Sequence, residues 1–125
     1  MLKTLLMIGA GGFIGSTTRY LIFKGTESIF SGHYPLGTFI VNVVGCLLLG
    51  AIYAISDRWG FGDPDVKLML TLGVCGGFTT FSTFINENYN LFVDGRFLVS
   101  AVYIVLSLTI GLVCVKLGHA LVNLF

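Results

Sequence analysis

Charge is scarce in this chain. Seven basic and six acidic side chains are spread over 125 residues, and the net charge is +1. No basic run appears that would neutralise a phosphate backbone, which excludes nucleic acid as a partner. Cysteine and histidine are sparser still, with three and two residues. Cys46, Cys75 and Cys114 each fall inside an apolar stretch, without CxxC spacing or a histidine partner, and read as small buried hydrophobes. His33 lies in a loop and His119 near the end of the last apolar stretch, so sequence-adjacent ligands assemble no metal cluster. There are no paired carboxylates, no nucleophile with an adjacent base and no phosphate-binding loop. The chain does not read as an enzyme.

What it has is apolar length. With 55% hydrophobic residues and a mean hydropathy of +0.93, it is too apolar for an ordinary soluble domain and reads as a membrane protein. Four stretches, approximately residues 2–23, 36–56, 66–92 and 96–117, each supply the roughly 20 residues that a hydrocarbon core of about 30 Å requires. The opening MLKTLLMIGAGGFIG resembles a secretory signal, yet no cleavage site followed by a polar segment appears, so it reads as the first span. The expectation is an all-α membrane protein: one four-helix domain over residues 1–125, with both termini on one side. Gly25 to Pro35 and Asp57 to Asp65 are short, turn-rich loops, the second carrying Trp59 for the membrane interface, and Val93 to Gly95 is a tight connection. Gly11 and Gly15, four apart, mark a face for close helix packing, and Gly45 and Gly50 mark another.

So little chain cannot by itself enclose a wide lumen, which makes oligomerisation the natural remedy. Lys3, Arg58, Lys67 and Lys116 fall on the side of the termini, and Arg19, Lys24 and Arg96 on the other. Topology follows the excess of such charges, and here it is at most one. The chain is therefore expected to insert both ways, which permits an antiparallel, dual-topology homodimer.

The polar residues of the spans are few and concentrated. Gly73 to Glu87 reads GVCGGFTTFSTFINE, with tandem Gly76 and Gly77 followed by hydroxyls at Thr79, Thr80, Ser82 and Thr83. Glycine weakens a helix by about 1 kcal/mol relative to alanine, and Ser and Thr satisfy backbone groups that a broken helix frees. The third helix is expected to break near Gly76 to Thr80. Irregular backbone within a bilayer is tolerated only in protein or beside a wet cavity, which points to a permeation or binding site. Phe78, Phe81 and Phe84 recur every third residue and share a face if helix resumes after the glycines. Asn42 within the second span is either interhelical glue or a contact for a permeating species. Arg19 either snorkels to the interface or has a functional partner. Glu87 belongs to the interface or to a vestibule. Tyr103 and Ser107, four apart on the last span, either complete a polar path or bond their own backbone.

This inventory suits a small anion. Amide and hydroxyl donors and the positive edge of a phenylalanine ring meet an anion without a fixed cation, and weak partners let it leave. Exposed carbonyls at the break favour a cation instead.

GGFIGSTTRY at Gly11 to Tyr20, GTFIVNVVG at Gly37 to Gly45 and GVCGGFTTFSTF at Gly73 to Phe84 together resemble the CrcB/Fluc family of fluoride ion channels, over the whole chain. The resemblance implies a passive fluoride-selective channel exporting fluoride across the plasma membrane (the cell inner membrane), multi-pass, with two pores per antiparallel homodimer. It implies Phe81 and Phe84 as the rings facing the ion, Asn42 as the pore asparagine, and Ser82, Thr83, Tyr103 and Ser107 as the polar track. Arg19 and Glu87 would stand at the vestibule or pore ends. Backbone carbonyls of Gly76 and Thr79 from both subunits would enclose a structural sodium ion. Two other classes share the size: a small multidrug exporter, which needs an intramembrane carboxylate for which Glu87 is the only candidate, and a non-transporting assembly subunit.

Overall fold

The computed structural model describes residues 1–29 and 34–125. His33, read above as a loop residue, lies outside the described residues. Among the described residues every regular element is helical: α1 (Leu2–Ile29), α2 (Leu36–Arg58), α3 (Pro64–Leu68), a π-helical segment (Met69–Cys75), α4 (Gly76–Phe78), α5 (Phe81–Val93) and α6 (Phe97–Asn123). The pieces from α3 to α5 make up one crossing, Pro64–Val93, so four helical spans are long and apolar enough to cross a membrane. The all-α, four-span expectation holds, and the third span is bent.

The helices run further than the hydrophobic pattern. α1 continues past Phe23 to Ile29 and takes in part of the stretch read as a loop. There the hydroxyls of Thr26 and Ser28 donate back to the carbonyls of Phe23 and Gly25, at 2.9 and 2.7 Å. Turn-forming side chains thus bond the helix they sit on instead of ending it. α2 ends at Arg58, whose Nη1 donates to the Val122 and Asn123 carbonyls at 3.3 and 3.2 Å, closing the C-terminal end of α6 with a cation. The chain then reverses through Gly60 and Gly62, whose φ values of +70° and +73° disfavour a side chain. Asp63 caps α3, accepting from the Asp65 N–H at 2.9 Å, with Pro64 in the first turn.

Small residues set the packing, as the sequence predicts. A Cβ on Gly11 or Gly15 would overlap the carbonyls of Met69 and Val74, so α1 lies directly on the π-helical segment. A Cβ on Gly50 would strike the Val115 carbonyl and one on Gly118 the Leu47 carbonyl, which locks α2 onto α6. At the N-terminal end of α1, the Lys3 ammonium pairs with Asp63 and, at 3.4 Å, with Asp65, while the Thr4 hydroxyl donates to Asp65 at 2.8 Å. Cys75 is buried, Cys46 and Cys114 are half-buried, and all three are free thiols. The most enclosed apolar cluster, Phe84, Leu91 and Tyr103, joins α5 to α6.

Candidate functional site

The bend falls at the threonine end of the predicted interval. Gly76 stays helical, with φ −64° and ψ −36°, and the helix runs on through Phe78. Thr79 and Thr80 are the extended residues, at φ −85°, ψ 159° and φ −150°, ψ 123°. Branched side chains favour that region, and both hydroxyls serve the ends they separate. The Thr79 hydroxyl donates to the Cys75 carbonyl at 2.8 Å, and Thr80 caps α5, its Oγ1 accepting from the Thr83 N–H at 3.3 Å. The tandem glycines do not supply the break themselves: a Cβ on Gly77 would lie 2.8 Å from the Gly12 carbonyl, so that residue is small to admit α1. The π-helical turn ahead of them has no clear sequence signal.

The freed backbone groups find partners on other helices. Asn42 Nδ2 donates to the Thr80 carbonyl at 3.0 Å, and Asn42 Oδ1 accepts from the Thr80 N–H at 2.8 Å. One side-chain amide thus gives the Thr80 N–H its acceptor and the Thr80 carbonyl a donor from another helix. Arg19 has a partner as well: its Nη1 donates to the Thr79 carbonyl at 3.1 Å. In a continuous helix the Thr80 N–H would close on the Gly76 carbonyl and the Thr83 N–H on that of Thr79. Both donors are diverted, to Asn42 and to the Thr80 hydroxyl. The carbonyls of Gly76 and Thr79 therefore lose their helical donors, and hard oxygen atoms of this kind suit a cation such as sodium. Among the described residues no group of three His, Cys, Asp or Glu side chains is placed to hold a metal.

Beyond the break, the two rings of α5 stand in different surroundings. Phe81 is 72% exposed and Phe84 only 6%, with centroids 6.0 Å apart. The Phe84 ring meets Tyr103 edge-on, 5.0 Å between centroids at 74°. Phe78 precedes the break and is buried near Gly45, so the three-residue repeat does not make one row of rings. Thr83 and Glu87, four apart on α5, share a face. Glu87 accepts from Tyr103 through its hydroxyl at 2.8 Å and from the Thr38 hydroxyl, so one carboxylate ties α2, α5 and α6 together. Ser82 is exposed, and its Oγ lies 3.5 Å from that of Thr80. The Ser107 hydroxyl is buried without a partner among the described residues, so it does not bond its own backbone. A cavity of about 460 Å³ opens beside this group, reached by Thr26, Glu27, Thr38, Thr83 and Glu87.

Three residues in this network carry no prior sequence assignment. Thr38 stands one turn before Asn42 on the same face of α2, a spacing that would have exposed it. Asn88 and Ser100 are buried and bonded to each other at 2.8 Å. Polar residues cluster at Asn86 to Asn90, but only the fold shows which of them turns inward.

These features define a multi-pass membrane protein with a broken span clamped by polar side chains from its neighbours. The family model for CrcB-like protein, Camphor Resistance (CrcB), matches residues 6–119. The chain is 44% identical over 117 residues to a protein of Phocaeicola vulgatus named fluoride-specific ion channel FluC, covering 94% of this chain and 96% of the relative. Proteins of the same name from Clostridium novyi and Chlorobaculum tepidum are 43% and 41% identical, covering 93% and 100% of this chain and 91% and 98% of theirs. The chain belongs to the CrcB family, and it is a multi-pass protein of the plasma membrane rather than an enzyme.

Proposed function

We propose that this chain is a passive, fluoride-selective channel that exports fluoride across the plasma membrane. The observation that carries the reading is its near-full-length identity of 44% to a protein named a fluoride-specific ion channel. The site chemistry supports it. Hydroxyls of Thr83 and Ser107, the exposed hydroxyl of Ser82 and the ring edges of Phe81 and Phe84 are weak, neutral donors. They replace part of an anion's hydration without holding it, which favours rapid passage. Asn42 spends one amide N–H on Thr80 and keeps a second for the anion. Arg19 and Glu87 stand near the ends of this path, the first attracting the anion and the second ordering the hydroxyls of Thr38 and Tyr103.

The channel works as an antiparallel, dual-topology homodimer with two pores. Two exposed faces support that assembly: Phe81, Ile85, Tyr89 and Phe92 on α5, and the side of α1 where a Cβ on Gly9 or Gly12 would meet nothing within 4 Å. Two antiparallel copies bring two breaks together on the axis. There the Gly76 and Thr79 carbonyls of both subunits hold one sodium ion, which binds the dimer and does not travel.

Efflux from liposomes containing only the purified protein tests the reading. Fluoride leaves quickly and chloride is nearly excluded if it is right; no fluoride efflux, with protein correctly inserted, points to an assembly subunit instead.

A further inference from the structure

Among the described residues, the most enclosed polar contact lies outside the path just described. Ser100 is 0% exposed and Asn88 4%, on the two helices whose Phe84, Leu91 and Tyr103 form the buried apolar cluster. The Ser100 hydroxyl donates to Asn88 Oδ1 at 2.8 Å, and Asn88 Nδ2 donates in turn to the Phe84 carbonyl at 2.9 Å. Buried polar groups in apolar surroundings are costly unless paired, and a fully paired set therefore selects one arrangement of the helices that carry it.

The positions along the two helices say what that arrangement serves. Asn88 follows Phe84 by one turn of α5 and adjoins Glu87; Ser100 precedes Tyr103 by just under a turn of α6. The Asn88–Ser100 bond consequently fixes the rotation and height of α6 against α5 at the level where Phe84 meets Tyr103 edge-on and Tyr103 donates to Glu87. A shift of one residue turns a helix by 100° and loses all three contacts together. α2 grips α6 elsewhere through Gly50 and Gly118, so this bond sets how α5 seats against a helix already held.

We propose that Asn88 and Ser100 are a positioning pair that holds the Phe84 ring edge and the Tyr103–Glu87 hydrogen bond in the geometry that fluoride passage uses, an inference that rests on the channel reading above. Neither residue touches the ion; both act through Phe84, Glu87 and Tyr103.

The test uses Asn88→Leu, which keeps volume and removes both bonds, and Ser100→Ala, which removes one oxygen and serves where the first variant does not assemble. An infrared band of isotope-labelled tyrosine, assigned by its loss in Tyr103→Phe, reports the Tyr103 hydroxyl without reference to transport. It shifts in either variant if the pair positions Tyr103, and an unshifted band overturns the proposal. In liposomes, fluoride efflux falls about tenfold, the scale of one lost hydrogen bond, with the dimer eluting as before. Adding Tyr103→Phe to Asn88→Leu then costs little further, because the geometry is already lost. Effects that multiply as independent ones contradict the proposal. Wild-type protein that passes no fluoride overturns the channel reading instead, while the tyrosine band still decides the pair.

Discussion

Asn42 and Thr80, 38 residues apart, exchange two hydrogen bonds, so that the side chain of one span stands in for the helix that the other has lost. This pairing makes the break a built feature. It also gives Asn42 a mechanical task beside any contact with an ion.

Asn42→Leu leaves the Thr80 N–H unsatisfied, at about 1–3 kcal/mol for a buried group, and removes one donor from the Thr80 carbonyl, which keeps its bond in the first turn of α5. A marked loss of thermal stability in detergent is expected, together with loss of fluoride efflux. Wild-type stability with reduced efflux would mean that Asn42 serves the ion alone.

Phe81 and Phe84 separate in the same assay. Phe81→Ile removes an exposed ring and keeps most of its volume, so efflux slows while fold and dimer persist. Phe84→Ile also loses the edge contact with Tyr103, worth about 0.5–1.5 kcal/mol beyond its area, and lowers the melting temperature as well. Unchanged efflux in Phe81→Ile would show that this ring only packs.

Much of this was legible in advance, for identifiable reasons. The four spans follow from apolar length, the packing faces from glycines such as Gly11, Gly15 and Gly50, and the broken span from a Gly-Gly-Phe-Thr-Thr string. One feature misled. The turn-rich composition after Lys24 hid the end of α1, because Thr26 and Ser28 bond back to their own helix. The break lies within the expected Gly76 to Thr80 interval, and branched threonines with hydroxyl partners make it where the glycines do not. Pairings between remote residues, Arg19 with Thr79 or Lys3 with Asp63, carry no local signal; they exist only once the helices pack.

Arg19 donates to a carbonyl expected to bind sodium, and a guanidinium beside a cation site opposes it. Arg19→Gln removes that opposition. The sodium concentration needed to stabilise the dimer, titrated against a large organic cation, is expected to fall several-fold. A higher requirement would place Arg19 among the groups that build the site.

The clamp of Lys3 on Asp63 responds to acid. The Lys3 ammonium beside it, helped by the Asp65 N–H, holds the Asp63 carboxyl below its ordinary range. A lowered folded value means that the contribution is present above the ordinary carboxylate range and is lost as pH falls through the lowered one. Melting temperatures of wild type and Lys3→Met should therefore differ slightly at neutral pH and converge in acid. A difference that persists in strong acid would show that Lys3 acts by packing.

Fluoride efflux from liposomes holding only this protein, with a chloride control and no proton gradient, tests the central claim most directly. Fast fluoride efflux with chloride retained is the predicted result. Equal chloride flux, or efflux that needs an imposed proton gradient, would contradict a passive fluoride-selective channel and turn attention to Glu87 as a coupling acid.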